Sequence, residues 1–235
     1  MKLLNLNIYN YNNWQERKPK IIKFIKKEKP DIVTFQEIRD DIQFNNKGDN
    51  QAKQLNRALK YPYYAFYQTT DKHKERPEKY DHYCVEGTAL LSKFPIIKNE
   101  KVKLKKHPKD IYYCGNHYVK IKIDNKIIDV LVVHFSNSDL FSKLHLIETM
   151  NQIRKKKIKP IIVGDFNMWH TDWLKKLIGK EYTNSFIFKK YISYPPRKWV
   201  LDYIVIPKNY KFKSFKCIGK GLSDHRVLVA EVEVR

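Results

Sequence analysis

The chain is poor in glycine, cysteine and acid. Seven glycines and ten prolines are scattered through 235 residues without a low-complexity tract or linker, so a disordered or multi-domain reading finds no support, and the sequence is read as one domain over residues 1–235. Three cysteines, Cys84, Cys114 and Cys217, are odd in number and far apart. A disulfide framework is therefore not indicated. His73, His82 and Cys84 match no zinc-ligand spacing, and reduced thiols suit a reducing compartment, so a cytoplasmic location is expected. No stretch approaches the ~18 apolar residues of a membrane span, and Lys2-Leu3-Leu4-Asn5-Leu6 opens as a strand rather than a signal peptide.

Acids number 25 against 47 Lys and Arg, a formal net charge of +22. Such a surface attracts polyanions: nucleic acid, anionic membrane or phosphorylated metabolites. The competing account is coding bias, because Lys, Asn and Ile are abundant while Ala and Gly are scarce. Hydrophobic residues make up 42% of the chain, enough for a sizeable core.

Periodicity predicts a strand over 3–8 and a helix over 18–29, with Ile21, Ile22 and Ile25 on one face. A buried strand over 31–35 then delivers Gln36-Glu37. Asp49 is the expected cap of a second helix bearing Ala52, Leu55 and Leu59. A strand at 63–67 precedes a charged, aperiodic loop over 70–82, long enough to lie over a site. Further strands are expected at 85–92, 101–105, 112–123 and 127–135, the last two as a hairpin through Asp124-Asn125. The longest helix, 139–157, carries Leu140, Leu144, Ile147 and Met150. A short helix at 173–178 and strands at 201–207, 211–218 and 227–234 complete the chain.

Two basic helix ends, Ile25 to Pro30 and Arg154 to Pro160, each turn through proline into a buried strand ending on an acid. That echo suggests a pseudo-two-fold layered α/β fold, with two mostly antiparallel sheets, helices outside and the acids meeting at the middle.

Polar residues close several of these apolar runs, as an enzyme site at strand ends requires. Glu37 is a hard oxygen donor for Mg²⁺, with Mn²⁺ as a substitute, and Asn7 can add a neutral oxygen. His225 suits a general base. Asp202 and Asp224 compete to orient it. Because neighbours on a strand point to opposite faces, Asp202 is assigned that role and Asp224 a place at or behind the metal. Asp165 and Asn167 can align a water and hold a phosphoryl oxygen, while His134 can stabilise developing charge. Arg197, Lys198 and Trp199 could grip a phosphate and stack a base, though a Pro195-Pro196 turn with basic residues also suits a solvated loop. Trp169 is close enough to rim the same cleft, with core packing as its alternative.

Taken in order, Gln36-Glu37, Gly87-Thr88-Ala89-Leu90-Leu91-Ser92-Lys93-Phe94-Pro95-Ile96, His134, Gly164-Asp165-Phe166-Asn167, Leu201-Asp202-Tyr203 and Ser223-Asp224-His225 resemble the endonuclease/exonuclease/phosphatase superfamily. The resemblance spans nearly the whole chain. It implies a four-layer α/β sandwich and Mg²⁺-dependent hydrolysis of a phosphoester by an activated water. It places Glu37 on the metal with Asn7 beside it, Asp202 paired with His225, and Asp165 with Asn167 at the phosphate.

Tyr9 stands where apurinic-site endonucleases of that superfamily carry an acid or amide, and His134 where they carry a tyrosine motif. His134 instead resembles the branch containing deoxyribonuclease I, deadenylases, sphingomyelinases and tyrosyl-DNA phosphodiesterases. The Cys-Asp-Arg motif of inositol phosphatases is missing. The leading expectation is a monomeric nuclease acting on DNA or RNA as endonuclease or exonuclease. A phosphodiesterase or phosphatase for a phospholipid headgroup or small phosphorylated molecule, and an inactive polyanion-binding protein, are the alternatives.

Overall fold

A computed structural model describes residues 1–111 and 114–234 of the chain. Its first sheet has the order β11-β12-β1-β2-β4-β3 and its second the order β5-β6-β7-β8-β10-β9. The first is built from β1 (Lys2–Asn7), β2 (Ile32–Asp41), β3 (Tyr63–Asp71), β4 (Cys84–Ser92), β11 (Tyr210–Ile218) and β12 (Val227–Val234). The second contains β5 (Ile96–Lys103), β6 (Gly115–Ile123), β7 (Lys126–His134), β8 (Ile161–Asp165), β9 (Tyr182–Asn184) and β10 (Asp202–Pro207).

Each sheet holds one parallel pair, β1 with β2 and β7 with β8. Their other described pairings are antiparallel. The parallel strands are joined by α1 (Trp14–Glu28) and α4 (Asp139–Lys156). Strand for strand the two orders correspond, β1 to β7 and β2 to β8, so the sequence echo reflects a repeated topology.

Alternation along the strands makes the layers. Leu3, Ile32, Val130, Val132, Ile161, Val163, Ile204, Leu228 and Ala230 form the core between the sheets. Leu4, Leu6, Val33 and Phe35 face the other way, onto Ile21 and Ile25 of α1 and Leu55 of α2 (Gln51–Leu59). On the far side Leu131, Val133, Ile162 and Val205 pack on Leu146, Met150 and Ile153 of α4 and on Leu174 of α5 (Thr171–Ile178). Helix, sheet, sheet, helix is the resulting stack, the four-layer α/β sandwich that the resemblance implied.

Several boundaries differ from expectation. α1 begins a turn before Lys18, because Trp14 and Arg17 are buried on the same side as Ile21 and Ile25. The cap of α2 is Asn50, whose side chain accepts from Lys53 N at 3.1 Å, while Asp49 is held by both terminal nitrogens of Arg57. β2 and β3 run on beyond the expected residues 35 and 67. Asp71 caps a four-residue helix, α3 (Lys72–Glu75), inside the expected loop.

α4 turns Ser142, His145, Leu146, Thr149, Met150 and Ile153 inward and leaves Leu140 59% exposed. Its apolar residues lie on two sides, so of the expected face Met150 is buried and Ile147 half-buried while Leu140 and Leu144 are exposed. β9 and α6 (Ser185–Phe188) were not expected, and Tyr112 and Tyr113, assigned to the start of the sixth strand, lie outside the described residues. Among the described residues no helix is long and apolar enough to cross a membrane.

Gly164 sets the spacing between the strands that reach the site. Its φ is +148°, and a Cβ there would sit 2.0 Å from the Val133 carbonyl oxygen. Gly164→Ala is therefore expected to lose at least about 2 kcal/mol of stability in urea denaturation; a loss below about 0.5 kcal/mol would show that the β7–β8 contact is slack.

Candidate active site

The strand alternation that builds the inter-sheet core also builds the floor of a cleft. Along β1, Leu3 is followed on the same face by Asn5 and Asn7. The same progression runs Ile32, Thr34, Gln36 on β2; Val130, Val132, His134 on β7; Ile161, Val163, Asp165 on β8; and Ile206, Ile204, Asp202 on β10. Each series begins among apolar core residues and ends on a polar one. Cross-strand pairing then puts His134 beside Asp165 and Asp165 beside Asp202.

Glu37 departs from that pattern. The β2–β4 register slips between Phe35 and Ile38, and Glu37 takes φ +55°, a conformation uncommon for a residue with a Cβ. The bulge turns the carboxylate into the cleft, where Asn7 Nδ2 donates to Glu37 Oε1 and to Asp165 Oδ2, both at 3.0 Å. One amide thus bridges acids from the two sheets. Asn7 Oδ1 accepts from the Tyr9 amide at 3.1 Å, so the side chain meets the acids through its N–H groups. Beneath it Asn5 Oδ1 accepts from Thr34 and Gln36.

His225 Nδ1 lies 2.8 Å from Asp202 Oδ2, the pairing expected over Asp224. The reason is not strand alternation, since residues 224–225 lie in a bend before β12. Asp224 lines the cleft with its Oδ1 accepting from Ser223 Oγ. His225 Nε2 is 3.9 Å from Asp165 Oδ2, and the Tyr194 ring covers the imidazole at 4.8 Å between centroids.

His134 Nε2 stands 3.9 Å from Asp165 Oδ2 and 4.0 Å from Glu37 Oε1. Asn167, at φ +49°, donates its backbone N–H to Asp165 Oδ1 and its amide to Phe135 O. Like Glu37, it reaches the site by leaving regular strand geometry.

These groups perturb one another. Burial, then Glu86, raises the Glu37 carboxyl, against the Asn7 hydrogen bond and His225. Burial and Asp202 raise Asp165, opposed by His225, His134 and the Asn167 N–H. For His225, burial favours the neutral ring, yet Asp202, Asp165 and Asp224 outweigh it and push the imidazolium up to about 10.

Four carboxylates thus face two imidazoles, and buried Asp202 Oδ1 has no hydrogen-bond partner among the described residues. Ligating atoms of Asp165, Asp202 and His225 lie within 4.8 Å of one another. An oxygen-rich site with excess negative charge fits a hard divalent cation.

The cleft holds about 440 Å³ and is walled by Arg39, Lys72, Arg76, Lys79 and Tyr80 on one side and by Trp169, Arg197 and Trp199 on the other. Glu86 anchors the first wall through Arg39 at 2.8 Å and Lys72 at 3.5 Å. Trp169 and Trp199 stack at 4.6 Å, with the Arg197 guanidinium 4.8 Å from the Trp199 ring centre. Lys198 is exposed at φ +57° and is not among the lining residues.

Sequence reasoning allowed that the 70–82 segment lies over a site, as it does, but singled out none of Arg39, Lys72, Arg76, Lys79 and Tyr80, nor Tyr194, nor Arg17. Buried Arg17 donates to the carbonyls of Ile8, Tyr9, Asn10, Asn12 and Leu222. It ties the loop after β1 to the segment that carries His225.

The arrangement and the comparisons with known proteins together define a class, that of metal-dependent phosphoric ester hydrolases. The chain belongs to the Endonuclease/Exonuclease/phosphatase family, whose model matches residues 4–225. No curated protein sequence matches it. Among solved structures, the human Nocturnin catalytic domain with bound sulfate anion is similar with 19% identity and a TM-score of 0.77, over 100% of this chain and 94% of that one. An endonuclease/exonuclease/phosphatase family protein from Leptotrichia buccalis has 18% identity and a TM-score of 0.78, covering 99% of each chain. D. rerio TDP2 complexed with single strand DNA product has 13% identity and a TM-score of 0.75, over 100% and 99%. At these identities the likeness is one of fold.

A folded-state imidazole raised above its unfolded value of ~6.5 stabilises the fold fully below that value and loses the contribution as pH rises through about 10. With chelator present, the melting temperature of wild type should therefore exceed that of His225→Gln by several degrees at pH 6, and the gap should shrink towards pH 10. A gap independent of pH would contradict the His225–Asp202 charge pair.

Proposed function

We propose that the chain is a single-domain Mg²⁺-dependent phosphodiesterase acting on nucleic acid, with Mn²⁺ as a substitute ion. The observation that carries this reading is one cleft with an acid and imidazole floor and a cationic, aromatic rim. In this reading Glu37 and Asp224 would hold the cation, with Asn7 beside them keeping Glu37 and Asp165 in register. The cation would supply Lewis-acid polarisation of the phosphoryl group and positive charge that lowers the proton affinity of His225.

Asp202 keeps the His225 Nδ1 proton, so that Nε2 is the nitrogen left to take a proton from the attacking water. Asp165 and Asn167 orient that water and the phosphoryl oxygen. His134, between Glu37 and Asp165, donates to the charge that develops on the phosphoryl or leaving oxygen. Arg197 and Lys198 attract the phosphate backbone, and Trp169 with Trp199 offers a face for an unpaired base. A cytoplasmic monomer is the expected form.

A cavity of about 440 Å³ would also admit a small phosphorylated metabolite, which is the second reading. The readings separate on end-labelled single-stranded DNA, duplex DNA and RNA, each incubated with Mg²⁺ or EDTA. Under the first, at least one polymer is cut in a Mg²⁺-dependent way and His225→Ala slows cutting by roughly 10²–10⁴-fold. Activity should fall in acid as His225 becomes protonated, and a flat profile from pH 5 to 8 in a chemistry-limited assay would remove His225 as the base. Intact polymers alongside hydrolysis of a generic phosphodiester would favour the second reading.

Trp199→Ala should weaken single-strand binding by roughly 1–3 kcal/mol in a fluorescence titration. It should change hydrolysis of a small generic ester little. Equal loss on both substrates would assign Trp199 to packing.

A further inference from the structure

Outside the cleft, three side chains of metal-binding chemistry converge where the sequence showed no pattern. Asp41 ends β2 and Cys84 begins β4, and the two are direct cross-strand partners, so both side chains leave the sheet on one face. Asp41 is 1% exposed and Cys84 fully buried. His82, two residues before Cys84, brings Nε2 to 3.0 Å from Asp41 Oδ1. One ligating atom from each of the three lies within 4.8 Å of the others.

A tetrahedral zinc ion with Zn–N and Zn–O distances near 2.0 Å holds those ligands about 3.3 Å apart, and Zn–S near 2.3 Å sets a slightly wider spacing. The trio needs little movement to reach that arrangement. The other nitrogen of His82 is also accounted for, since Nδ1 lies 2.9 Å from Asp81 Oδ1. A carboxylate on one imidazole nitrogen fixes the ring and raises its basicity when the other nitrogen binds metal.

We propose that Asp41, His82 and Cys84 form a zinc site, separate from the catalytic centre, that fastens the base of the segment lining the cleft. One carboxylate, one thiolate and a neutral imidazole carry two negative charges, which Zn²⁺ neutralises, and thiolate with imidazole selects zinc over the hard cation suited to the cleft. Loading releases the Cys84 thiol proton and the His82 Nε2 proton to solvent. The fourth position belongs to a solvent water, because His82 keeps 14% side-chain exposure.

The site would act on the cleft through position. β4 continues from Cys84 to Glu86, which holds Arg39 and Lys72, and the chain from Lys72 to His82 carries Arg76, Lys79 and Tyr80 of the wall. Zinc would join the His82 end of that segment and the start of β4 to the end of β2.

Co²⁺ titrated into the full chain after metal depletion tests this, because a thiolate ligand gives a sulfur-to-cobalt charge-transfer band that oxygen and nitrogen ligands do not. The expected result is a band saturating at one equivalent, retained in Glu37→Gln and abolished in Cys84→Ser. His82→Gln, which keeps the thiol, should weaken the Co²⁺ affinity read from the band by more than the roughly 10–100-fold that loss of an outer partner costs. Zinc should displace the cobalt and bleach the band. Should Cys84→Ser fail to fold, His82→Gln alone decides. No band in wild type, an equal band in Cys84→Ser, or unchanged affinity in His82→Gln would each overturn the proposal and leave His82 as an imidazolium bridging Asp41 and Asp81.

Discussion

The amide of Asn7 joins the two halves of the molecule. Its N–H groups reach Glu37 on one sheet and Asp165 on the other, both at 3.0 Å. Two carboxylates meet on one amide only if the sheets are stacked with their strand ends in register. Hydrogen bonds tolerate a few tenths of an ångström in length, so the inter-sheet core, close-packed from Leu3 to Ile206, holds the site together. Stability and site geometry are here the same property. Apolar pairs fill the layer up to the last strand residues, and the polar pairs above them inherit the spacing.

Much of this was readable because strands have period two. A short apolar run closed by a polar residue marked Asn7, His134, Asp165 and Asp202; His134 and Asp165 line one cleft, and buried Asn7 and Asp202 bond to its lining groups from beneath. Tertiary contacts and backbone irregularity were harder to read. Glu37 enters through a bulge and Asn167 through a left-handed backbone, and neither leaves a pattern in the sequence. The Asp202–His225 pair was expected on the argument that Asp224 and His225 sit on a strand; they sit in a bend, and the pairing arises because Arg17 and the Leu222 carbonyl hold that bend over β10. The inner face of α4 was misjudged for a related reason, since Ser142, His145 and Thr149 are buried where exposed Leu140 and Leu144 were expected. Thr149, for example, accepts from buried Asn116 at 2.8 Å, a demand set by a distant strand.

Charge is sorted over a short distance. The chain carries +22 overall, yet Glu37, Asp165 and Asp224 crowd the cleft floor, with Asp202 buried behind His225, while Arg39, Lys72, Arg76, Lys79 and Arg197 stand on its walls. Burial raises Asp165 and its neighbour Asp202 raises it further, while at His225 the acids outweigh burial and hold the proton. Either protons or a cation can relieve the floor, and the walls meanwhile favour an anion. A phosphoester placed at the boundary would meet both demands, its charge shared between a cation at the floor and the cationic walls.

Floor and walls come from different parts of the fold. Most of the floor is made of strand ends, whose positions follow from sheet packing, with Asp224 and His225 added by the bend before β12. Most wall residues lie on connections, namely the segment after β3 and the turn before β10, which can change without disturbing the core. An architecture shared with proteins at 13–19% identity therefore speaks to where the floor lies, while the connections around it are free to differ in chemistry. In this chain those connections supply guanidinium, ammonium and stacked indole. Those groups can pair with anionic charge and stack on a flat ring.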